Sequence, residues 1–110
     1  MKTTTDLRFG EVFRLTDQIN YSGDKVEFLN VMNTPNGGVG LMALETGQKL
    51  DSHVAPAELF VLVLEGEIVF NVDDKANVMK EGDIMMLGEG VRHSVECVRN
   101  AKVLLCKSRP

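Results

Sequence analysis

Leu59-Phe60-Val61-Leu62-Val63-Leu64-Glu65-Gly66-Glu67-Ile68-Val69-Phe70-Asn71-Val72 is the stretch on which the fold turns. Its two halves are short and rich in Val, Leu, Ile and Phe, with Glu65-Gly66 between them, so the reading is two strands, Leu59 to Leu64 and Glu67 to Val72. The glycine supplies the turn chemistry that a hairpin needs.

Working outward, the same rhythm recurs at spacings of about eight to twelve residues. Strands are predicted at Val26–Met32, Val39–Glu45, Leu50–His53, Ala76–Lys80, Ile84–Leu87, His93–Val98 and Val103–Lys107. Turn residues separate them at Asn36-Gly37-Gly38, Asp73-Asp74, Glu81-Gly82-Asp83 and Gly88-Glu89-Gly90, and a turn is also open at Asn100-Ala101. Most neighbours should pair antiparallel. So many strands in one small unit imply an all-β fold, a closed antiparallel β-barrel or two-sheet sandwich that leaves few open edges. One domain over 1–110 is expected, with a less patterned arm at 1–24 and the barrel at 25–108. Within the arm, Asp6 to Ile19 is read as a short strand or a helical turn, and Tyr21-Ser22-Gly23-Asp24 as a loop.

Composition narrows the function. With 12 Lys and Arg against 16 Asp and Glu, the chain carries a net charge of −4, which gives no general attraction to nucleic acid or to anionic membranes. Its longest apolar run, Leu59–Leu64, falls far short of the roughly 20 residues of a spanning helix. The first six residues lack the apolar stretch of a secretory signal, so the cytoplasm is the expected compartment. Two cysteines nine positions apart suit reduced thiols there.

The chain has two histidines, and their spacing to glycines is informative. His53 lies six positions after Gly47 and thirteen before Gly66, while His93 lies eleven after Gly82 and three after Gly90. Both spacings resemble the cupin superfamily: Gly47, His53 and Gly66 fit its first motif, and Gly82, Gly90 and His93 its second. The resemblance implies a jelly-roll or double-stranded β-helix barrel, a central pocket, a homodimer, and activities that range from dioxygenase, isomerase and decarboxylase to binding without turnover.

The departures from the cupin pattern bear on chemistry. Ala55 stands at the second histidine position, Leu59 at the glutamate position with Glu58 just before it, Gly88 at the proline position and Cys97 at the asparagine position. An alternative alignment puts Asp51 and His53 at the two histidine positions. In a regular strand Glu58 points away from the face shared by Leu59, Val61 and Val63, whereas a bulge near Pro56 would bring it inward. Two readings of the site stay open. In one, His53 and His93 hold a divalent metal (Fe, Mn, Ni or Zn) with Glu58 or Cys97 as a third donor. In the other, they line a partly polar pocket and bind a small-molecule ligand or substrate with no metal.

Leu59, Val61, Met85, Val95 and Cys97 are the expected pocket wall, suited to a small organic ligand with one polar end. Cys97, four residues after His93, should share its face; it is read either as a small buried hydrophobe or as a metal donor or reactive thiol. A turn at Asn100-Ala101 would set Cys106 diagonal to it, too far for a relaxed disulfide. Arg92 is read as a rim charge or a partner for a ligand carboxylate. Both faces of Leu59–Leu64 are apolar, and with Phe28 and Phe70 they suggest cover by a second sheet or a partner subunit.

Overall fold

The computed structural model describes residues 2–3, as strand, and residues 8–109. Its strands are β1 (Lys2–Thr3), β2 (Glu27–Thr34), β3 (Gly37–Leu44), β4 (Lys49–Val54), β5 (Glu58–Val72), β6 (Lys75–Lys80), β7 (Ile84–Leu87) and β8 (Arg92–Ser108). Hydrogen bonding orders them β1-β2-β3-β8-β5-β6, with β4 added on β8 and β7 on β5. The β1–β2 pair is parallel and the others are antiparallel. The fold is all-β, as expected.

Two expected turns are instead bends inside long strands. At Gly66, β5 continues with φ +83° and the register against β8 shifts between Val63 and Ile68. A Cβ on Gly66 would lie 2.0 Å from the Asn100 carbonyl oxygen, so only glycine lets the two strands cross so closely. The same residue serves a turn or a corner, which is why sequence alone suggested a turn. At Asn100-Ala101, β8 also runs on. The Asn100 side chain binds the β3–β4 loop, its Oδ1 accepting from Thr46 N at 2.9 Å and from Thr46 Oγ1 at 3.1 Å.

Because β5 and β8 bend together, each belongs to two sheet layers. The first half of β5 pairs with β7, and the second half of β8 pairs with β3 and, through it, β2. The second half of β5 pairs with β6, and the first half of β8 with β4. The layers meet at a corner near Gly66 and Asn100 and face one another, and alternate side chains fill the space between. Leu59, Val61 and Val63 before the bend, and Ile68 and Phe70 after it, are all buried in one core cluster with Leu44, Val95, Cys97 and Val103.

Continuous β8 also revises the cysteine geometry. Cys97 faces inward opposite Ile68, while Cys106 stands opposite Phe60 and Val39 in the other layer. Both thiols are free. Phe28 and Phe70, expected with the outer apolar face, belong to the interior: Phe70 is buried and Phe28 packs on the same core. Part of the outer face is covered by the chain's own N-terminal segment. Ile19 is buried there with Leu41 and Ala43, and Leu15, Tyr21, Leu64 and Leu104 pack around them.

Of the strand or helical turn expected between Asp6 and Ile19, residues 6–7 lie outside the described residues. The rest holds one 3-10 turn, Leu15–Asp17, and a loop follows at residues 21–24. Polar ties fix this segment to the corner. The Tyr21 hydroxyl donates to Glu65 Oε2 at 2.6 Å, and Lys102 lies over the Tyr21 ring while donating to the Thr16 carbonyl. Burial, then the Glu65 contact, pushes the Tyr21 hydroxyl well above its usual pKa. Among the described residues no helix is long and apolar enough to cross a membrane.

Candidate functional site

His53 and His93 meet at the open end of the folded sheet. They form a direct cross-strand pair between β4 and β8. Strict alternation would put Leu50 and His53 on opposite faces, yet three residues of β4 span what two residues of β8 span between Val95 and His93. This bulge turns both Leu50 and His53 toward the interior. The rings lie edge to face, with centroids 4.2 Å apart and planes inclined by 60°. On its other side His93 stacks on Phe70, with centroids 5.4 Å apart and planes within 9°.

The hydrogen bonds fix which ring nitrogens are free. His53 Nδ1 is 2.8 Å from the Asp51 carbonyl, and His93 Nδ1 is 3.1 Å from the Val91 carbonyl. A carbonyl oxygen only accepts, so each Nδ1 carries the hydrogen and donates, which leaves each neutral imidazole with an Nε2 lone pair. His93 is 5% exposed. Its burial pushes the pKa below the usual 6.5, the Val91 hydrogen bond opposes that shift, and the neighbouring His53 adds to it. Burial therefore favours the neutral form of His93.

A cavity of about 250 Å³ opens beside the pair. One layer contributes Leu50, His53, Phe70, His93 and Val95; the other contributes Phe28, Met42, Leu59, Leu105 and Lys107. The wall is apolar apart from the two imidazoles and one lysine, as pockets for small organic molecules generally are. A larger depression of about 550 Å³ lies between the N-terminal segment and β2. It holds no imidazole or thiol, and its polar groups are Arg8, Glu11, Gln18, Asn30 and Asn33.

Of the residues expected in the wall, His53, His93, Leu59 and Val95 line the cavity, whereas Val61, Met85 and Cys97 do not. Val61 is wholly buried in the packed core, and Met85, its partner across β7, packs against that core. Cys97 shares the face of His93 but sits at the corner, where its thiol donates to the carbonyls of Leu44 at 3.4 Å and Arg99 at 3.3 Å. Burial raises the thiol pKa above its ordinary value, with the nearby backbone hydrogen bonds opposing. Glu58 follows the regular alternation, exposed on the outer face with Phe60. Arg92 borders a polar depression with Asp73 and Asp74 rather than the cavity.

These placements test the metal expectation. A catalytic metal site ordinarily takes three protein donors and keeps one position open. Here two imidazole Nε2 atoms converge, Glu58 faces away and Cys97 is engaged elsewhere. Among the described residues no group of three His, Cys, Asp or Glu side chains gathers around one point. The donor set does not fit a resident metal of that kind.

Lys107 is the wall residue that the sequence reading passed over. Val103, Leu105 and Lys107 alternate along one face of β8, so a period-two count carried past Val103 would have placed the lysine inside. Met42 and Leu50 face the cavity through pairing with β8, distant in sequence, and Phe28 stands opposite Met42 across the β2–β3 hairpin.

Comparison with known proteins gives the same architecture. A family model described as a cupin domain matches residues 40–106. A conserved protein of unknown function from Streptococcus pyogenes superposes with a TM-score of 0.87 at 21% identity, covering 100% of this chain and 96% of that one. A Cupin 2 conserved barrel domain protein from Leptotrichia buccalis is 33% identical, with a TM-score of 0.84 over 88% of this chain and 47% of that chain. A predicted oxalate decarboxylase from Thermotoga maritima reaches a TM-score of 0.69 at 22% identity, over 77% of this chain and 81% of its own. No curated protein matches the sequence.

Proposed function

Since the chain belongs to the cupin family, we propose that it is a small-molecule-binding cupin whose pocket is built around His53 and His93. One observation carries this reading: two imidazoles, each held by a carbonyl at Nδ1 with Nε2 left as an acceptor, sit at the mouth of an apolar cavity of about 250 Å³. Such a site orients the O–H or N–H of a ligand while its apolar wall takes the body. The Thermotoga maritima protein shares the fold alone, and its described activity does not carry over.

A thermal-shift screen of small organic acids, amides and alcohols tests the reading. A true ligand at free concentration L stabilises the protein by RT ln(1 + L/Kd), so the melting temperature climbs with the logarithm of its concentration once that exceeds Kd, and the shift disappears in His93→Ala. If no compound stabilises the protein, the binding reading is wrong.

A second reading, a metal-dependent enzyme, draws on the same hydrogen bonds, because metal-ligating histidines commonly donate their other nitrogen to a carbonyl. Elemental analysis of protein purified without a metal-affinity tag separates the two. Near-stoichiometric metal, lost in both His53→Ala and His93→Ala, would favour the enzyme.

The proposed partners follow from the surface and the charge. A homodimer would cover the outer strip where Phe60 lies beside exposed Ile84 and Met86, and sedimentation tests it. The net charge of −4 favours neither nucleic acid nor anionic membrane as a partner, and the cytoplasm is the proposed compartment.

A further inference from the structure

The cavity wall contains a cation that the histidine pair does not account for. Lys107 follows Val103 and Leu105 on the inner face of β8, and its cross-strand neighbours are Leu59 on β5 and Gly38 on β3. Leu105 likewise stands opposite Gly40. Two successive inner-face positions of β3 therefore carry no side chain, and the next positions across, Asn33 and Asn30 on β2, close the gap. The space so freed is a second cavity of about 260 Å³, lined by Asn30, Asn33, Lys107 and Arg109, and it shares Leu105 and Lys107 with the histidine cavity. Lys107 stands where the two spaces meet.

Among the described residues no carboxylate is paired with Lys107, unlike Arg14, which meets Asp17, and Lys49, which meets Glu96. Glu58, the nearest acid along β5, points to the outer face. A half-buried ammonium group flanked by leucines, with no counter-ion among the described residues, is incompletely compensated, and an anion supplied by a ligand completes it. The chain as a whole is negative, so any preference for an anion must come from this site. The apolar wall between Lys107 and the imidazoles suits a hydrocarbon body and disfavours a compact multivalent anion.

Resting on the pocket reading above, we propose that the ligand is a monocarboxylate with an apolar body, its carboxylate paired with Lys107 and its body in the cavity beside His53 and His93. The bland competitor is a lysine whose stem covers apolar surface while its head stays in water.

Benzoate and benzamide, alike in shape and different in charge, distinguish the two when titrated against the imidazole NMR signals of His53 and His93. We expect benzoate to bind about tenfold more tightly than benzamide, the worth of one charge-assisted hydrogen bond. Lys107→Met should bring benzoate down to the benzamide level and leave benzamide unchanged, and Lys107→Arg should keep the preference. Equal binding of the two probes by the wild-type protein, or a preference that survives Lys107→Met, overturns the proposal while the pocket reading stands. If neither probe moves either imidazole, the pocket reading fails and the proposal fails with it.

Discussion

Cys97 and His93 lie four residues apart on the same face of the same strand, yet their surroundings differ. Cys97 is at the corner, where β5 and β8 bend, the neighbours are Ile68 and Leu44, and its thiol is taken up by the backbone carbonyls of Leu44 and Arg99. His93 is at the mouth, where the layers part around a cavity and its Nε2 is left available. Core packing that holds the layers together is concentrated at the corner, and groups able to meet a ligand are gathered at the mouth. A family position occupied by Cys97 need not belong to the site simply because its strand does.

This division makes the corner the place to break the fold. Ile68 is fully buried, so Ile68→Ala should lose about 2–5 kcal/mol of stability, whereas exposed His53→Ala should lose no more than ~0.5 kcal/mol. Urea denaturation of the two variants checks the contrast, and comparable losses would erase the distinction between corner and mouth.

A smaller effect should follow pH at the mouth. The folded pKa of His93 is lowered, so below pH 6.5 the unfolded chain takes up a proton that the native imidazole resists. Stability from this source is intact above pH 6.5 and falls as pH drops from there to the folded pKa. In His93→Phe that part of the decline should vanish, as measured by denaturation on either side of pH 6.5. An unchanged slope would mean that His93 is not desolvated.

The smallest expected difference is one of rate. Burial raises the Cys97 pKa and encloses its thiol, while Cys106 is only partly buried on the outer face. Iodoacetamide under native conditions should alkylate Cys106 first, with peptide mass spectrometry as the readout. Early labelling of Cys97 would show that the corner opens.

Strand positions were legible because alternation and turn residues are local signals, and the outward position of Glu58 is one of the two that the sequence left open, the one that strict alternation from Leu59 gives. The strand joins were not. Gly66 and Asn100 carry turn chemistry, but the close crossing of β5 over β8 uses the glycine, and the β3–β4 loop uses the asparagine side chain. At the site, the glycine spacings flagged both histidines, while the β4 bulge that turns His53 inward depends on pairing with β8. Lys107 was within reach of a longer alternation count; Gly38 and Gly40 opposite Lys107 and Leu105 were not, because that contact is set by register between strands far apart in sequence.

The position of β8 in the chain also bears on synthesis. It pairs with β3, β4 and β5, so neither layer can be completed until residues 92–108 have left the ribosome. Until then β3, β4 and the inner face of β5 present unpaired edges and apolar side chains. The nascent chain must wait, unprotected by its own fold, for its most widely paired strand.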